Sequence, residues 1–182
     1  MEGIRDSAEG REALPTEAAG SALAAFAAAA LELVGEGPPD RGLDHLLRAV
    51  ALGTGAELVV ARVADDHAFF TARAVHSDSE ALAAELQGTR TSIDDVPDRE
   101  LGLEDAPGDP SAPAPVRRAA ARAGMSIVRL VPVTVDGDVV ALLELYRSGL
   151  PFGSEEEALT RAAAAHVALA LRLDRAAGRG RN

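Results

Sequence analysis

The two-residue step Asp136-Gly137, set between the β-branched runs at 126–135 and 138–147, constrains this chain more than any other feature. Glycine enters the left-handed backbone region without a steric penalty and aspartate tolerates it, so a short loop of this composition joins antiparallel strands whose twist it matches. A β-hairpin is therefore expected after position 126. Beyond it, Leu150-Pro-Phe-Gly-Ser-Glu-Glu-Glu157 opens a long alanine-rich helix. The Ser154 hydroxyl is expected to accept an orphan backbone N–H, with Glu157 reaching back to close a capping box and the acidic triplet at the positive end of the helix dipole.

The rest of the chain divides by period and punctuation. Residues 1–14 are polar, mixed in charge and aperiodic, and read as a mobile leader. Pro15 and Thr16 open a helix to about Val34, ended by Gly35, Gly37, Pro38 and Pro39. Asp40 then caps a helix carrying Leu43, Leu46, Leu47, Val50 and Ala51 at helical spacing, which closes at Gly53 to Gly55. Strands are expected over 57–64 and 68–75 around an Asp65-Asp66 turn. A short helix over 79–86, β character over 89–93 and a basic helix over 116–123 follow. Residues 94–115 read as an acidic, proline-rich loop, longer than an ordinary connection and so an insertion or a lid. One domain would span 15–176, followed by a Gly and Arg tail at 177–182.

Composition removes whole classes of function. Twenty-nine acidic residues against eighteen basic ones leave a formal charge of −11, which repels nucleic acid and anionic membrane surfaces. The absence of cysteine excludes disulfides, thiolate nucleophiles and cysteine-held metals or tetrapyrroles. The uncharged run from Ala18 to Leu31 is neither a signal peptide nor a span: its leader is acidic, and about 20 strongly apolar residues are needed to cross a bilayer. A cytoplasmic protein is expected. With no Gly-x-Ser-x-Gly, phosphate loop, paired-histidine helix or glycine-rich dinucleotide turn, an enzyme is not.

The order of elements, with Val131-Pro132-Val133, Asp136-Gly137, Ala141-Leu142-Leu143-Glu144-Leu145, Phe152 and the helix from Leu159 to Leu171, resembles the C-terminal half of a GAF domain. Ala141 departs from the family pattern, which commonly has Gly there. A looser likeness covers Leu43 to Val75, so the resemblance accounts for about residues 20–175. It is similar in particular to actinobacterial sensory GAF modules that precede output segments, with no output segment visible here. The resemblance implies an α+β fold: an antiparallel sheet with N- and C-terminal helices packed on one face and a loop-covered pocket on the other. It implies a noncatalytic small-molecule sensor or regulator in bacterial signalling, or alternatively a dimerisation or scaffold module with a vestigial pocket. A signalling protein is a possible partner, and no cofactor is named. Cyclic-nucleotide-binding members carry an Asn-Lys pair after the last strand, where this chain has Tyr146-Arg147, so half of that motif is missing. Bilin-binding and methionine-sulfoxide-reducing members need cysteines this chain lacks.

Four residues are the pocket candidates: His76, Arg129, Glu144 and Tyr146. His76 ends the second strand. Arg129 interrupts an apolar strand, where a desolvated guanidinium needs a partner. It reads either as an anion-recognising group on the pocket floor or as a structural residue, at an exposed edge or in a salt bridge to Glu144 across the hairpin. His45 reads as solvent-facing, His67 as a turn residue and His166 as a satisfied core or interface histidine. The first helix from Ala18 to Leu31 and the last from Ala162 to Leu171 are uncharged, and a helix apolar around most of its surface needs more than one sheet to cover it. A homodimer through the terminal helices is expected.

Overall fold

The computed structural model describes residues 24–29, 31, 39–65 and 68–179. Helix α1 (Pro39–Thr54) leads into β1 (Leu58–Ala64) and β2 (Phe69–Ser77). Next come α2 (Glu80–Leu86), β3 (Arg90–Ser92), a 3-10 turn (Ile93–Asp95), β4 (Leu101–Leu103) and α3 (Ala114–Ala123). The hairpin β5 (Ile127–Val135) and β6 (Asp138–Arg147) follows, and α4 (Ser154–Arg179) closes the order. Residues 24–29 and 31 are helical. The remainder of the first helix expected at 15–34, the 1–14 leader, residues 180–182 of the tail and His67 lie outside the described residues.

The strands make one antiparallel sheet in the order β3-β2-β1-β6-β5-β4. Side chains alternate along each strand, so the sheet has two apolar faces. On the helix face, Val59, Ala61, Val131, Val133, Leu143 and Leu145 pack against α1, α4 and the N-terminal helical residues Phe26 and Ala29. On the far face, Leu58, Val60, Val128, Leu130 and Leu142 pack under α2, α3 and the connector before α3. This is the expected α+β architecture.

The hairpin turn has Asp136 at φ 55° and Gly137 at φ 96°, the two positive values a primed turn requires. One feature alters what the turn alone would dictate. Counting outward from Val135↔Asp138 with no irregularity would set Arg129 opposite Glu144. Instead the register slips between Val133 and Thr134, Val140 becomes the extra residue, and Arg129 pairs with Leu145. Because directly opposed residues share a face, this bulge sends Arg129 and Glu144 to opposite sides of the sheet.

Several boundaries differ from expectation, α4 running on to Arg179 into the expected tail among them. The stretch 94–115 is not a plain loop: it contributes β4, which pairs Leu101, Gly102 and Leu103 with Leu130, Arg129 and Val128, and it buries Leu103, Ala106 and Ala112. Helix α1 begins at Pro39, ahead of Asp40, because a first-turn proline sacrifices no helical hydrogen bond. The box at the start of α4 is shifted by one residue. Ser154 is already helical, and Glu156 Oε2 accepts from the Gly153 N–H at 2.6 Å. Glu157 cannot reach back because its carboxylate is held by Arg129, 2.7 Å away.

The connection into α4 is fixed by Arg147. Its guanidinium donates to the Thr54 carbonyl at 2.9 Å, to the Leu150 carbonyl at 2.6 Å and to both Glu156 oxygens at 3.0 and 3.1 Å, and it lies 4.1 Å over the Phe152 ring. Burial pushes the Glu156 carboxyl up, but the bonds from Arg147 and the Gly153 N–H outweigh it and leave the pKa below the usual carboxylate value. One arginine thus joins the C-terminus of α1, the end of β6 and the first turn of α4.

Candidate functional site

An arginine in the strand sequence Leu58-Val-Val-Ala-Arg-Val-Ala64 must point to one apolar face or the other. Arg62 takes the same side as Leu58 and Val60, the far face, and is 3 % exposed. A buried guanidinium needs both an opposite charge and acceptors for its remaining donors. Glu144 supplies the charge: its Oε1 accepts from Arg62 Nε at 2.6 Å, and the carboxylate is 1 % exposed. Its Oε2 accepts from the hydroxyl of Tyr146 at 2.8 Å, two residues along β6 and therefore on the same face. Arg62 Nη1 donates to the carbonyl and hydroxyl oxygens of Thr89 at 3.0 and 3.2 Å, and the Thr89 hydroxyl donates to the Leu86 carbonyl at 2.6 Å. The chain of bonds therefore runs from β6 through β1 to the end of α2.

The surroundings are apolar and closed. Leu58, Val60, Val128, Leu130, Leu142 and Met125 belong to the same buried cluster as Tyr146, with Leu103 of the edge strand beside them and Leu86 and Val116 of the covering helices. Another polar side chain, Thr91 on β3, is buried with no partner for its hydroxyl oxygen. Burial pushes the Tyr146 hydroxyl well above its ordinary pKa, and the neighbouring Glu144 charge adds to the rise.

The four sequence candidates separate into two groups. Glu144 and Tyr146 meet in the far-face constellation. Arg129 lies on the helix face, where Nη1 donates to Glu157 at 2.7 Å and Nη2 to Glu100 at 2.5 Å. Of the alternatives for Arg129, the bridge to Glu144 does not form, because the bulge at Val133/Thr134 turns the two away from one another. His76 opposes Val59, a helix-face residue, and lines shallow clefts with Arg48 of α1 at the sheet margin. His166, half-buried, donates Nδ1–H to the Ala162 carbonyl at 2.8 Å and packs edge-on against Phe26, a satisfied histidine. Arg62 and Thr89 were not among the sequence candidates. The signal for Arg62 was one charge in an otherwise apolar strand; its partner lies 82 residues away, beyond any local pattern.

A second feature is a cleft of about 460 Å³ on the helix face between β5 and α4. Val131, Val133, Val135, Ala164, Ala168 and Leu169 line it, with Arg161 and Arg172 at its rim. Among the described residues, no group of three or more His, Cys, Asp or Glu could hold a metal ion. No described helix is long and apolar enough to cross a membrane.

A family model described as the GAF domain matches residues 26–171. The GAF domain of a phosphoenolpyruvate-protein phosphotransferase from Coxiella burnetii superposes with a TM-score of 0.71 at 17% identity, over 88% of this chain and 98% of that one. The equivalent domain from Acinetobacter gives 0.65 at 13% identity, covering 85% and 94%. The chromophore-binding domain of a bacteriophytochrome from R. palustris gives 0.70 at 10% identity, covering 87% and 62%. These likenesses establish the shared fold. No curated protein matches the chain.

Tyr146 is the one tyrosine of a chain without tryptophan, so its ionisation can be followed by absorbance. Its folded pKa is raised, so its contribution to stability is fully present below the unfolded value of about 10 and is lost as pH rises from there toward the folded value. A spectrophotometric titration should show no phenolate at pH 10 to 11 while the fold persists, with ionisation appearing together with unfolding. Phenolate forming near pH 10 in folded protein would mean that the hydroxyl is in contact with solvent.

Proposed function

Because the chain belongs to the GAF domain family, we propose that it acts as a noncatalytic small-molecule-sensing or regulatory module in bacterial signalling, working as a cytoplasmic dimer. GAF domains are typically noncatalytic sensory or regulatory modules, and the fold here is theirs. The observation that carries the sensing reading is the Arg62–Glu144–Tyr146 constellation beneath short, separately connected elements. A buried ion pair adds little net stability over well-packed apolar residues, whereas it presents both a cation and an anion to any polar molecule that enters. In this reading Glu144 and Tyr146 keep the role expected from the sequence and Arg62 joins them. Arg129 and His76 stand outside the far-face site.

The second reading is a dimerisation or scaffold module with a vestigial pocket. Its support is the same constellation seen from inside: the three groups satisfy one another, and the far-face apolar cluster closes over them. Thermal-shift screening against small polar metabolites separates the two. A ligand present at 100 times its Kd stabilises by about 2.7 kcal/mol, and the sensing reading expects such a shift, reduced in the Glu144→Gln variant. Uniform absence of any shift would leave the scaffold reading.

The dimer rests on the outward side of α4. Ala165, Leu169 and Leu173 recur four residues apart and are exposed, both leucines at more than two fifths, next to the apolar cleft along β5. Alanine at such a stripe lets a second helix approach closely. Sedimentation velocity at micromolar concentration should give a dimer that Leu169→Glu dissociates; a monomeric parent chain would contradict the dimer.

A further inference from the structure

The three-residue strand β4 does two jobs at once. Leu101 and Leu103 turn to the far face, Leu103 buried and Leu101 packed against that cluster, while Gly102 sits opposite Arg129. Glu100, one residue before the strand, falls on the helix-face side of the same alternation. There its Oε2 lies 2.5 Å from Arg129 Nη2 and 3.2 Å from Arg161 Nη1 of α4. Glu157, also of α4, holds Arg129 Nη1 at 2.7 Å and lies 3.7 Å from Arg161. Two carboxylates and two guanidiniums thus close a ring across the edge of the sheet, joining the connector, β5 and α4.

Arg129 makes this ring sensitive. It is 6 % exposed, its Nε has no acceptor, and among the described residues Glu100 and Glu157 are its side-chain partners. Removing Glu100 leaves a nearly buried cation with one carboxylate, and Glu157 must then follow Arg129 at the expense of Arg161. The first turns of α4, which carry Glu157 and Arg161, respond to the position of Glu100. A residue-to-residue span of three positions connects Glu100 to Leu103, so the edge strand that carries Leu101 and Leu103 into the far-face cluster cannot shift without moving Glu100.

We propose that Glu100 is a latch: it couples the edge strand β4, whose leucines pack into the far-face cluster, to the start of helix α4, so that displacement of Leu101 and Leu103 by an entering molecule is transmitted to that helix through Arg129, Arg161 and Glu157. This rests on the far face being the sensing site, and it assigns the route by which occupancy reaches the terminal helix.

Hydrogen exchange read by mass spectrometry on the full chain, without ligand, tests it. In Glu100→Gln, peptides covering 101–112 and 154–165 should both exchange about two- to fivefold faster, the range expected for losing a partly exposed ion pair. Arg161→Met should accelerate the connector peptide although the substitution lies in α4. Leu103→Ala, which loosens the packing of β4 into the far-face cluster, should accelerate 154–165. The β1 peptide over 58–64 serves as the control for intact fold; if Leu103→Ala speeds it too, Leu103→Val replaces that variant. Acceleration confined in every variant to the segment carrying the substitution would overturn the latch. Because no ligand is present, this outcome is separate from a failed thermal-shift screen, which would instead remove the sensing reading.

Discussion

Two opposite charges, one on β1 and one on β6, are buried together at the centre of the far face, and the remainder of that face is arranged around their need for each other. Leaving either one unpaired would cost several kcal/mol, far more than the pair contributes when intact. The bond therefore acts as a constraint on geometry. It fixes β1 against β6, and through Thr89 it reaches the end of α2. A slip of one residue in either strand would carry one charge to the opposite face, so the correct register is specified by more than apolar packing.

The sheet that carries this pair also separates two kinds of surface. The far face is closed by short pieces: α2 of seven residues, α3 of ten and the connector with its three-residue strand. Short elements with separate connections can move individually, in the way that small-molecule sites require. The helix face is covered by the longest elements, and α4 still presents apolar side chains outward. One side suits recognition and the other suits association. Arg147 and the ring around Arg129 are among the polar ties that join α4 to the sheet.

Much of this was legible in the residues. The Asp136-Gly137 turn, the amphipathic spacing of Leu43, Leu46, Leu47 and Val50, the short helix expected over 79–86 and the family text around β5 and β6 each predict what is found, because each depends on neighbours within a few positions. What escaped depended on geometry that local pattern does not encode. A bulge of one residue at Val140 reversed the relation between Arg129 and Glu144, and no residue type at that point announces it. Strand β4 was hidden in an acidic, proline-rich stretch because a three-residue edge strand has too few alternating positions to show a period. Arg62 was visible as an isolated charge, but assigning its role required Glu144 to be brought across 82 residues by the fold.

The central claim is that Arg62 and Glu144 act as one buried unit. A double-mutant cycle measured by urea unfolding tests it most directly, using Arg62→Met, Glu144→Leu and the two together. Each single change should cost about 3–5 kcal/mol by stranding the other charge, and the double variant should cost much less than their sum, with a coupling energy above about 1 kcal/mol. Additive single effects would mean that the two charges are independently solvated, and the description of a closed far face organised around them would be wrong.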